Sequence, residues 1–89
     1  MAEGSSGSNA QEGALFPVYR MLVGSGHYYR IEGPGRFTEI QEVGTRVIVH
    51  RIENAAYPEQ VRIQEMITCA NGRYGPMNGE DWERRYAGI

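Results

Sequence analysis

Alternating apolar and polar positions predict strands along most of the chain from Pro17 onward. Over residues 17–23, Val18 and Leu22 face one way and Tyr19, Met21 and Val23 the other, before Gly24-Ser25-Gly26 turns the chain. Over residues 27–32, Tyr29 and Ile31 share a face opposite Tyr28, Arg30 and Glu32, and Gly33-Pro34-Gly35 closes the segment. A third strand covers residues 36–43 and a fourth residues 45–53. Only Gly44 separates them, so a continuous bent strand or a bulge is expected there. After a loop around Tyr57-Pro58, residues 60–68 set Val61, Ile63 and Ile67 against Arg62, Gln64 and Thr68 and read as a fifth strand. Asn71-Gly72 is a two-residue hairpin signal, with residues 73–77 as the return strand.

The period changes in the last segment. Asn78 is a candidate N-cap, Glu80 and Asp81 fall in a first helical turn, Arg84 and Arg85 in a last one, and Gly88 is a stop. Trp82 and Tyr86, four apart, share one face of that helical turn and would seal an end of the sheet. Short strands with tight turns bury a core and shorten their edges by curling. The expected fold is therefore mainly β: a small, partly open SH3-like β-barrel of five to six short strands with a short C-terminal helical turn. Val43-Gly44-Thr45-Arg46-Val47-Ile48-Val49 resembles the Val-Gly-x-x-Val-x-Val strand entry common in such barrels.

Residues 1–15 show neither period. Between Met1 and Leu15 no apolar residue is larger than Ala, so this Gly/Ser-rich stretch cannot offset its own ordering entropy. It reads as a flexible tail, part of it of the kind left by cloning, ahead of a single small β domain over residues 16–89. At 89 residues there is room for one modest core. The single Cys69 can form no disulfide within the chain, and no long apolar run or signal-peptide pattern is present. A soluble, cytoplasmic protein is the expectation.

All nine basic residues are Arg. Eleven acids oppose them, and with Glu3 and Glu12 set aside as tail residues the domain carries nine of each sign. A neutral body exerts no long-range pull on phosphate or anionic lipid, so a nucleic-acid site would have to be a local Arg patch.

Several motifs have plainer structural readings. Gly24-Ser25-Gly26 lacks the following helix that a phosphate-cradling loop needs. Cys69 with His27 or His50 could form a thiolate–imidazolium pair or supply metal ligands, but no local spacing brings them together. Glu80, Asp81 and Glu83 suit the start of a helix better than a pair of hydrolytic carboxylates. No catalytic set and no cofactor follow from these residues.

The interleaving of Arg and Tyr is the pattern with most to offer. Tyr28, Arg30, Tyr57, Arg73, Tyr74, Arg84 and Arg85 are candidate partner-binding residues, because flat rings beside guanidinium groups anchor protein interfaces and also stack on single-stranded nucleic acid. The leading expectation is a non-catalytic protein-interaction or assembly module, able to bind its own copy through an exposed strand edge, of the size and class found in phage particles and mobile gene cassettes. Nucleic-acid binding by the Arg/Tyr patch is the alternative, and a small enzyme with a site formed between subunits is the third. No membrane partner is expected.

Overall fold

The computed structural model describes residues 15–89. The expected tail lies outside the described residues except for Leu15, which is exposed. Strands β1 (Val18–Leu22), β2 (His27–Gly33), β3 (Arg36–Val43) and β4 (Arg46–Ile52) form an antiparallel meander. Helix α1 (Tyr57–Thr68) then carries the chain back across the sheet, and β5 (Tyr74–Pro76) pairs antiparallel with β1. Helix α2 (Gly79–Ala87) completes the order. The five strands make one sheet in the order β4-β3-β2-β1-β5. The fold is thus mainly β, but the sheet is open where a curled barrel was expected: β4 and β5 are two separate edges.

The largest correction concerns residues 60–68, which are helical. Gln60, Arg62, Gln64, Glu65 and Met66 are good helix formers, and Pro58 occupies the first turn, where its missing N–H costs nothing. Ile63 and Met66 are buried and Ile67 half-buried, a spacing of three and four that a strand reading of Val61, Ile63 and Ile67 overlooks. Val61 is exposed. The helix ends at Cys69, held in the left-handed region at φ 54°, where its N–H bonds back to Glu65 and Met66 carbonyls. Asn71 and Gly72 do take positive φ, as a hairpin signal would, but they join α1 to β5 through a short 3-10 turn.

Gly44 marks a tight hairpin rather than a bend. Val43 pairs with Arg46, leaving Gly44-Thr45 as a two-residue loop, and Gly44 has φ 62° while Thr45 does not enter the positive region. That combination suits a type II′ turn, for which glycine in the first position carries no steric cost. The sheet's irregularity falls instead between Ile31 and Gly33, where the β2–β3 register shifts. At the C-terminus the expected helix is present, with the Asn78 side chain accepting from the Glu80 N–H at 2.7 Å.

Both faces of the sheet carry helices. On one face Tyr29, Ile31, Phe37 and Tyr74 pack with Ala55, Ile63 and Met66 in the main core, flanked by Val18, Leu22 and Ile52. On the other, Ile40 and Trp82 are fully buried. The helices lie over β1, β2 and β5, so β4 is left with little cover and is exposed along most of its length.

Candidate functional site

Three places hold side chains capable of chemistry or recognition. The first is the joint between α2 and the sheet. Trp82 stacks on Tyr86 with ring centroids 5.9 Å apart and meets Tyr19 at 6.4 Å. The Arg30 guanidinium lies 5.7 Å from the Trp82 ring and 5.6 Å from the Tyr86 ring, while bonding Glu32 at 2.9 Å and Glu83 at 3.3 Å. Arg85 sits 4.0 Å above the Tyr28 ring and pairs with Glu42 at 2.7 Å. Arg51 on β4 reaches over Tyr86 and donates to its hydroxyl. The sheet supplies Tyr28 and Arg30 at alternate positions of β2, and α2 supplies Trp82, Arg85 and Tyr86 within about one turn, so each ring meets a guanidinium from the opposite layer.

The structure therefore separates the seven candidate partner-binding residues. Tyr28, Arg30 and Arg85 join helix to sheet. Arg84 pairs with Asp81 one turn back on the exposed side of α2. Tyr57, 76% exposed, stands at the start of α1, and Arg73 is exposed just before β5. Tyr74 is buried in the main core, 5.7 Å from Tyr29 in an edge-to-face contact, which removes it from any surface patch.

The second place is a polar cluster on the α1 side of the sheet. His27 Nδ1 lies 2.6 Å from Glu39 Oε2, and Arg62 of α1 approaches the same oxygen at 3.9 Å. Arg62 also donates to the Tyr29 hydroxyl at 3.0 Å. Glu39 is buried and directly opposite His50 on β4, which is exposed. A carboxylate in this position fixes the orientation of the His27 ring. These side chains do not line the open concavities beside Phe16 and Arg36, beside Val49 and Tyr86, or beside Asp81 and Arg85. Among the described residues, Cys69 has no side-chain hydrogen-bond partner and pairs with neither histidine. No three His, Cys, Asp or Glu side chains among the described residues gather as a metal-holding group.

Burial, then the nearby Glu39 carboxylate, pushes the Tyr29 hydroxyl up to about 12, with Arg62 pulling the other way. Folding therefore holds a proton that the unfolded chain releases near its ordinary value of 10. The associated stability is complete below that value and declines as pH rises toward 12. Urea unfolding is expected to show a loss of about 1 kcal/mol from this proton between about pH 9 and about pH 11. Tyr29→Phe should lack that component; an identical decline in the variant would refute the assignment.

The third place is the outer edge of β4, which reads Arg46-Val47-Ile48-Val49-His50-Arg51-Ile52. No described strand pairs with its outer side. Val47 is 45% exposed and Ile48 38%. Because Val43 and Arg46 flank a two-residue loop, they form a hydrogen-bonded pair, and the alternation of an antiparallel ladder then turns the N–H and C=O of Val47, Val49 and Arg51 outward. Beside this edge, on the α2 side, an open concavity of about 600 Å³ is lined by Val49, Arg51, Tyr86 and Ile89. The sequence shows the β-branched run but not that it is an edge, since that depends on β5 crossing to β1. The His27–Glu39 pair was equally hidden, because it depends on the β2–β3 register.

No protein-family model, curated protein or solved structure matches the chain. No helix among the described residues is long and apolar enough to cross a membrane.

Proposed function

We propose that the chain is a non-catalytic protein-interaction module whose docking element is the outer edge of β4. The observation that carries this reading is the contrast between the sheet's two edges. β5 has three residues and ends in Pro76, so it offers little to pair with. β4 has seven residues, contains neither Pro nor Lys, and runs in uninterrupted register against β3 from Arg46 to Ile52. Neither a proline nor a bulge interrupts this edge, and between the charged Arg46 and Arg51 the apolar Val47 and Ile48 are exposed along it. An extended segment added there would gain main-chain hydrogen bonds from Val47, Val49 and Arg51, with side-chain selectivity at alternate positions.

The nucleic-acid alternative has less to draw on, since Arg30 and Arg85 are committed to carboxylates and rings within the chain. The edge reading is tested by display selection of random seven-residue peptides against the full chain at nanomolar concentration. Val49→Pro removes one outward N–H while leaving the β3 ladder intact. Selected peptides should carry apolar residues at alternate positions and lose at least about tenfold in affinity for Val49→Pro, the equivalent of about 1.4 kcal/mol. Failure to select any peptide, or binding indifferent to Val49→Pro, would sink the reading.

A further inference from the structure

Resting on that reading, the geometry points to a second copy of this chain as the occupant of the β4 edge, paired antiparallel about a two-fold axis at Val49. Its product would be one continuous ten-stranded sheet, twice the five-stranded sheet of one copy.

The strand's own sequence supports self-pairing. With Val49 facing Val49 of the second copy, all seven residues find opposite numbers: Val47 faces Arg51, Ile48 faces His50 and Arg46 faces Ile52. No like charges are opposed, which like-sign pairs directly across a ladder would penalise. The residues with outward N–H and C=O, Val47, Val49 and Arg51, meet one another in this register, so the main-chain bonds form without a slip.

The concavity beside the edge supplies the second argument. Val49 and Arg51 line it, together with Tyr86 and Ile89. The residues placed against Val49 and Arg51 in this register are Val49 and Val47 of the second copy, on the same side of the sheet. Two apolar side chains are thereby delivered to an apolar recess, and Ile89, 56% exposed, gains a neighbour. Arg51 does not obstruct the joint, because its guanidinium is already drawn over Tyr86 of its own chain. The chain's own first residues are a poorer occupant: residues 2–14 contain no apolar side chain larger than Ala.

Sedimentation velocity of the full chain across micromolar concentrations should show a monomer–dimer equilibrium that Val49→Pro shifts to monomer, with circular dichroism confirming that the variant is folded. Register is read by disulfide trapping in a Cys69→Ala background. Val49→Cys should oxidise to a covalent dimer, since facing α-carbons lie about 5.5 Å apart, whereas Val47→Cys should not, its two copies being about 14 Å apart along the strand. The trapping result stands even if Val49→Pro fails to fold. A strict monomer at every concentration, or a dimer that traps through Val47→Cys and not Val49→Cys, would overturn the proposal. If the chain is monomeric yet selects edge-binding peptides, self-pairing fails while the docking function survives; if it does neither, both fail.

Discussion

Trp82→Ala is expected to cost about 3–5 kcal/mol, enough to leave the chain largely unfolded at room temperature if its total stability lies near the low end of the usual ~5–15 kcal/mol. Trp82 is the one buried residue of α2, and its side chain is fully enclosed. Its removal opens a cavity beneath the helix and also strips the Arg30 guanidinium of the ring it lies against at 5.7 Å. Arg30 would remain bound to Glu32 and Glu83, but with one side of its plane facing a void. The indole N–H has no hydrogen-bond partner among the described residues, so Trp82→Phe sacrifices volume without breaking a polar contact seen there. It should therefore retain most of the stability. Urea unfolding followed by circular dichroism measures both, since the alanine variant lacks the chain's single Trp and hence its fluorescence. A loss below about 1 kcal/mol for Trp82→Ala would mean that α2 is not held by this side chain.

The second large effect is expected at Arg20, at roughly 2–3 kcal/mol for Arg20→Met. From β1 its Nε donates to the Met66 carbonyl and one terminal nitrogen to the Ile67 carbonyl, each at 2.9 Å, while the other bonds the Tyr19 carbonyl. The last turn of α1 has no basic residue of its own, and its free carbonyls carry the negative end of the helix dipole. A guanidinium from the sheet takes the place of that missing charge and also fixes the helix end over β1. Methionine preserves the apolar stem and removes the fork. Arg20→Lys should recover only part of the loss, because an ammonium cannot reach several carbonyls in the same plane. Amide exchange in the final turn of α1 should accelerate in Arg20→Met; unchanged exchange and a stability within about 0.5 kcal/mol of the parent would disprove the role.

The contrast between these two sites indicates what the residue order makes legible. Alternation around Tyr29 and Ile31 marked β2, and the Asn78 cap with acids first and Arg last marked α2, because each signal is local. Residues 60–68 suggest a strand because Val61, Ile63 and Ile67 satisfy a period of two, while Met66 and the helix-forming Gln and Glu residues carry the period that governs packing. The Arg/Tyr interleaving was a real pattern with an internal use. Tyr28 meets Arg85 and Arg30 meets Tyr86, partners that only the docking of α2 on the sheet brings together. Arg20 carries no sequence signal beyond its charge, because its targets are backbone carbonyls, which have no sequence signature. The β4 edge was visible as a strand and invisible as a border, since only the return of the chain to β1 decides which strand stays outside.

That return also governs the order in which the protein can be completed. Until residues 74–89 leave the ribosome, β1 has a bare flank and the Ile40 side of the meander lacks Trp82 above it. A nascent chain stalled after α1 would thus present β1 and β4 as its two borders, where the finished sheet has β4 and the three-residue β5. The β1 flank is covered only when β5 docks, so a truncation directly after α1 should lower the soluble yield in cells, read by fractionated expression, far more than the short stretch it removes would suggest.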